Sequence, residues 1–212
     1  MNTETSDAAR PGRTGRQPST SRAELSHVAL QLFLENGFDG TTVDDIAAAA
    51  GIGRRTLFRY FASKNDLPWG DFEALLERMR GCLRALPAEM PLLDALGTAI
   101  IEFNRVPKEE IPYHRQRMEL LLNVPALVAH STLRYQSWRQ VIVEYAALRL
   151  GVAEDSLKPQ TLGWILLGVS LSAYEQWLLH EDADLLELIA SALGMLGATG
   201  LGPYAGAGGT GS

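Results

Sequence analysis

Residues Thr41 to Leu67 read TTVDDIAAAAGIGRRTLFRYFASKNDL. Thr42 followed three residues later by Asp45 has the capping-box form, in which side chains satisfy the orphan N–H groups of a helix's first turn. Val43, Ile46, Ala47 and Ala50 then recur at helical spacing, and the pattern stops at Gly51. Gly53 can cap a second short helix, about Arg54 to Tyr60, whose Leu57 lies four residues from Phe61 on the inward side. Arg54, Arg55 and Arg59 are left pointing outward. The alanines of the first helix allow the second to approach closely. Such a pair can lay one helix in the major groove of DNA while the other braces it.

Working outward, Ser21 and Glu24 form another capping box. Leu25, Val28, Ala29, Leu32 and Phe33 follow as one apolar stripe that ends at Gly37. Downstream, Ser63 and Asp66 read as a third box, opening one long helix to about Leu86 that Pro87 breaks off. Further helices are expected near Pro91–Asn104, Glu109–Asn123, Ala126–Leu150, Leu157–His180 and Asp184–Leu196, with Pro107, Pro125, Gly151 and Asp182 in or near the gaps. No stretch shows the strict alternation of a strand, so the expected class is all-α. The expected organisation is a flexible basic arm over 1–20, a helix-turn-helix domain over 21–67, a larger helical domain over 68–199 and a disordered Gly-rich tail over 200–212.

The net charge of −6 runs against nucleic-acid binding, but its distribution does not. Arg10, Arg13, Arg16, Arg22, Arg54, Arg55, Arg59 and Lys64 outnumber the acidic residues between Arg10 and Lys64, while acidic residues prevail from Asn65 onward. One end is aimed at phosphate and the rest repels it. The lone Cys82 can form no internal disulfide, which suits a reducing cytoplasm. The first twenty-odd residues lack the apolar run of a signal peptide. The run Leu162–Tyr174 is too short to span a bilayer, so no membrane partner is expected.

Thr42-Val43, Ile46-Ala47, Ala50-Gly51-Ile52, Thr56, Phe58, Tyr60-Phe61, Lys64 and Leu67 together resemble the signature of the TetR family of bacterial repressors. The continuation RTLFRYFASKNDLPWGDF is similar, more narrowly, to the TetR-type regulators of mycofactocin biosynthesis. The resemblance implies an all-α, TetR-like homodimer: a three-helix helix-turn-helix domain followed by a domain that binds a ligand and dimerises. It also implies repression at a palindromic operator, relieved by a small molecule. The family often has Ser where Gly53 stands and Tyr where Phe58 stands, so two hydroxyls are missing here.

Arg54 and Arg55 are the expected readers of base edges, since an Arg fork matches the paired acceptors of guanine. Contact with phosphate alone is the open alternative. Thr42, Tyr60 and Lys64 are candidates for backbone contacts. Gly53, Thr56, Phe58 and Arg59 complete the expected DNA face, and Arg13 and Arg16 are candidates for a minor-groove arm. For a ligand, Phe103, Tyr113, Met118, Leu121, Trp138, Trp164 and Tyr174 are candidate cavity walls. At helical spacing such residues are usually ordinary core. Arg117, with Arg115, could hold an anionic head group; a long apolar ligand with a charged end, such as a fatty acyl-CoA, is the expected effector. Pro68, Trp69 and Gly70 lie where a swing of the reading head would start.

Gly163, Gly168, Ser170, Ser172 and Ala173 give one late helix a small-residue surface, and Leu185, Leu186, Leu188, Ile189 and Leu193 make the next one apolar. Pairing across a two-fold into a four-helix bundle would bury both, and an entirely intramolecular core is the open alternative. A catalytic role finds little support. His27, His114, His130 and His180 lack metal-ligand spacing, GVSLS lacks the second Gly of a nucleophile elbow, and GATGLG opens no helix. No cofactor is expected. A carrier or scaffold without operator binding stays open as the other class.

Overall fold

The computed structural model describes residues 21–198, and side chains to Leu196. The expectations for the arm, Arg13 and Arg16 included, and for the tail fall outside these residues. All regular structure among the described residues is helical: α1 Arg22–Asn36, α2 Val43–Ala49, α3 Arg54–Tyr60, α4 Phe72–Ala85, α5 Leu92–Phe103, α6 Ile111–Asn123, α7 Pro125–Leu150, α8 Leu157–Leu179 and α9 Leu185–Ala198. Two short 3-10 segments, Lys64–Trp69 and Lys108–Glu110, join α3 to α4 and α5 to α6.

The first two helix starts follow the sequence closely. Ser21 accepts the Glu24 N–H at 3.1 Å while the Glu24 carboxylate accepts the Ser21 N–H at 2.7 Å. Thr42 and Asp45 repeat the arrangement at 3.1 and 2.8 Å. Gly51 makes the turn at φ 65°, a conformation that costs an L side chain about 1–2 kcal/mol.

The third start differs. Ser63 makes no capping bond to the backbone; its hydroxyl instead donates to the Asp66 carboxylate at 2.8 Å. The expected long helix is split into the 3-10 segment and α4, parted by Gly70 at φ 59°. The reason lies in Asp66, Leu67, Pro68 and Trp69, all buried. Four consecutive buried residues cannot be served by one face of an α-helix.

Leu25, Ala29, Phe33, Ile46, Ala47, Leu57 and Phe61 pack the three-helix head, and Leu67, Trp69 and Phe72 continue that core without a break into α4–α9. In the body, α7 packs on α8, α8 on α9, and α4 on α5, with α7 also touching α4, α5 and α6. None of the described helices is long and apolar enough to cross a membrane.

Candidate DNA interface and ligand cavity

The outward face of α3 carries Arg54, Arg55, Phe58 and Arg59, all exposed, with Thr56 and Tyr60 half-buried beside them. Gly53 forms the N-cap with no side-chain bond, and a Cβ added there would meet nothing within 4 Å. The two leading arginines are not equivalent. Arg54 donates to Asp44 of α2 at 2.9 Å and lies 5.5 Å from the Phe58 ring centre. Arg55 makes no ion pair among the described residues. Arg59 lies 5.5 Å from the Tyr60 ring. Thr42 is exposed at the start of α2, but its hydroxyl is engaged in the capping box and donates to Asp45 at 2.6 Å. Those bonds from Thr42 hold the Asp45 carboxyl below its ordinary pKa.

Lys64 has a structural task that the sequence hides. Its ammonium donates to the carbonyls of Phe38 and Thr41 at 2.9 and 3.1 Å and sits 4.1 Å from the Phe38 ring centre. It thereby ties the segment after α3 to the α1–α2 loop, 26 residues earlier.

Behind the head, the 3-10 segment is clamped to α7. Asp66 Oδ1 accepts from Arg134 at 2.8 Å and lies 2.7 Å from His130 Nε2. Burial alone would raise the Asp66 carboxyl, but bonds from Ser63, His130 and Arg134 outweigh it and hold the pKa low. Arg134 also reaches Glu73 of α4 at 3.3 Å.

Beside this clamp lies an apolar cavity of about 100 Å³. Pro68 and Trp69 of the 3-10 segment, Phe72 and Leu75 of α4, Phe103 and Asn104 close to the end of α5, and residues of α6, α7 and α8 form its walls. Six of the candidates line it: Phe103, Arg117, Met118, Leu121, Trp138 and Tyr174. Tyr113 does not. It turns the other way, stacking on His27 of α1 with ring centres 4.6 Å apart. Trp164 does not either: it is 60% exposed on the outside of α8, with Arg139 stacked on it at 3.6 Å. Arg115 is engaged elsewhere, donating to the carbonyls of Trp177, His180 and Glu181 at the end of α8.

A polar relay that leaves no mark in the sequence crosses the cavity wall. Tyr174 O–H donates to Asn104 Oδ1 at 2.6 Å, and Asn104 Nδ2 donates to the Ile100 carbonyl at 2.8 Å. The tyrosine's single proton is thus committed, so the His114 Nε2 lying 2.9 Å away must be the donor to its oxygen. His114 is therefore the neutral Nε2–H tautomer. Burial, helped by the positive Arg117, pushes its pKa down to about 4. Burial also pushes the Tyr174 phenol up. Arg117 lies 4.9 Å from the Tyr113 ring, has no ion pair among the described residues, and its Nε is buried without a hydrogen-bond partner.

The small residues of α8 divide between its two faces. Gly163, Ser170 and Ala173 are buried, and a Cβ on Gly163 would come within 3.2 Å of Val143 on α7. Gly168 and Ser172 face out beside Leu157, Trp164 and Leu179, which are 82, 60 and 72% exposed. Among the described residues no cluster of three or more His, Cys, Asp or Glu is placed to hold a metal ion.

A helix-turn-helix head with a row of outward arginines, seated on a helical body that holds an apolar cavity, is the architecture of a transcription regulator. The chain belongs to the TetR family: residues 25–67 match the model for bacterial regulatory proteins of the tetR family, and residues 90–201 match the model for the MftR C-terminal domain. It is 46% identical to "Putative mycofactocin biosynthesis transcriptional regulator MftR" of Mycobacterium tuberculosis, over 88% of this chain and 94% of that protein. It is 31% identical to the HTH-type transcriptional regulator TcmR of Streptomyces glaucescens, over 82% of this chain and 80% of that one. In fold it is similar to FadR of Bacillus subtilis, solved in complex with stearoyl-CoA. That match has a TM-score of 0.57 at 17% identity, over 81% of this chain and 95% of FadR. TetR proteins bind DNA as dimers and respond to small molecules; they are regulators and not enzymes.

Proposed function

We propose that this protein is a dimeric repressor that occupies a palindromic operator through α3 and leaves it when an amphipathic molecule, a long-chain acyl-CoA, enters the body. The genes under its control would be those of mycofactocin biosynthesis, a reading supported by the relative at 46% identity. As a DNA-bound regulator it would act in the cytoplasm. The observation that carries the mechanism is Trp69: it walls the cavity and also ends the segment that follows the reading helix. A change in the cavity's contents therefore acts directly on the mounting of the head.

At about 100 Å³ the cavity is smaller than the roughly 300–1,000 Å³ of sites for drug-sized ligands. A long acyl chain would have to part the 3-10 segment from α7, and the two reading heads must sit about 34–36 Å apart to share an operator. Parting those walls changes that spacing. The effector weakens operator binding by its preference for the parted form, a coupling typically of about 1–3 kcal/mol. The dimer face would be the exposed row Leu157, Trp164, Gly168, Ser172 and Leu179 on α8, with α9 beside it.

The test is binding to promoter DNA of the mycofactocin genes and of the protein's own gene, followed by titration with acyl-CoAs of increasing chain length. Binding should weaken steeply as salt rises, and one range of chain lengths should dissociate the complex. No operator binding at low salt would leave a carrier or scaffold as the function. Complexes that resist every chain length would remove acyl-CoA as effector.

A further inference from the structure

Two residues that line the same cavity, Trp69 and Arg117, each carry a buried N–H with no hydrogen-bond partner, at Nε1 and Nε respectively. A buried donor left unpaired is costly, and native proteins leave few of them. Of the other polar side chains of the wall, His114, Tyr174 and Asn104 satisfy one another in sequence, Ser170 donates to the Leu166 carbonyl at 2.9 Å, and the Tyr135 hydroxyl lies against Ser131. His114 is held neutral and its Nε2 proton is spent, so it adds no positive charge to the site. What these two N–H groups lack is an acceptor. Arg117 also makes no ion pair among the described residues.

We propose that the effector presents a hydrogen-bond acceptor, the carboxylate of a fatty acid or the thioester carbonyl of an acyl-CoA, to the Trp69 indole N–H and the Arg117 guanidinium, and that engagement of this pair, not filling of the cavity, releases the reading head. The inference deepens the ligand-sensing function above and rests on it. Both residues are wired to the head. Trp69 ends the segment that follows α3. Arg117 lies over the ring of Tyr113, whose other ring contact is His27 of α1. An acceptor that draws the guanidinium inward removes the cation from the Tyr113 ring and loosens that stack.

The experiment uses the full chain, labelled promoter DNA and three probes of equal chain length: dodecanoate, dodecanoyl-CoA and dodecylamine. Anisotropy reports release of DNA, and calorimetry without DNA reports binding. In the parent protein the acceptor-bearing probes should release DNA at concentrations about tenfold or more below the amine. Which of the two is the stronger tells carboxylate from thioester as the source. In Trp69→Phe and Arg117→Met that advantage should collapse, taken as the ratio of amine to acceptor-bearing probe within each variant, so that any general change in operator affinity or cavity packing cancels. A packing role alone would shift all three probes together and overturn the proposal, as would three equally effective probes in the parent, a comparison that needs no variant. Should none of the probes bind, the acyl-ligand function itself falls and this inference with it. If they bind and release DNA without discrimination, only the inference falls.

Discussion

His114 is an imidazole that the fold keeps neutral, and this has a direct consequence for stability. Its pKa is pushed down to about 4, against 6.5 for the free group. Between those values the unfolded chain binds the extra proton and the native one does not, so stability falls as pH falls. The contribution is complete above pH 6.5 and is progressively withdrawn on acidification toward pH 4. Between pH 7 and pH 5 the expected loss is on the order of 2 kcal/mol, read from chemical denaturation at each pH. His114→Gln, which retains a donor for Tyr174, should flatten that slope. On the DNA face, Arg55→Ala should cost about 1–3 kcal/mol at the operator and relax discrimination at one base position. An even loss across all sequences, measured on an operator-variant panel, would make Arg55 a phosphate contact. The outward arginines were legible because helical spacing alone places them. The relay of Asn104, His114 and Tyr174 was not: three residues on or at the ends of different helices meet through packing, and nothing in their local patterns marks them.

At the level of elements, the segment between α3 and α4 holds the most information and was the least readable. Ser63 and Asp66 carry the spacing of a helix start, yet Asp66 serves α7, and sequence gives no hint of the His130 and Arg134 waiting there. Pro68 followed by Gly70 was the available sign of a break. Asp66→Asn should lower unfolding free energy by about 2 kcal/mol at neutral pH, the worth of hydrogen bonds made to a charged group. Because the carboxyl's pKa is depressed in the native state, that benefit exists above its unfolded value and disappears as pH falls through the native one. The difference between parent and variant melts should therefore close in strong acid. The turn before α3 was read correctly, since Gly51 at φ 65° and an uncapped Gly53 are local features. Gly53→Ser fits without contact and should add a few tenths of a kcal/mol through the missing cap, visible as a small rise in melting temperature.

For the whole molecule, one class of prediction concerns assembly. Trp164→Glu places a charge in the middle of the exposed α8 row, leaving the buried face of that helix untouched. The expected outcome by light scattering is a monomer that folds normally but binds a two-site operator far more weakly than a dimer does. An unchanged dimer would move the interface elsewhere. The fold class was legible from capping boxes and apolar stripes. Which face of α8 packs within the subunit was not, because small residues occur on both sides of it.

The bond from Lys64 back to the carbonyls of Phe38 and Thr41 means that the three-helix head travels as a single piece. Whatever happens in the body can alter where that piece is carried, but has no handle on which letters it spells out. Under the proposed function, target choice and chemical trigger would thus be separable traits in this chain. Evolution, or an engineer, can retune either one by changing residues on its own side of the hinge.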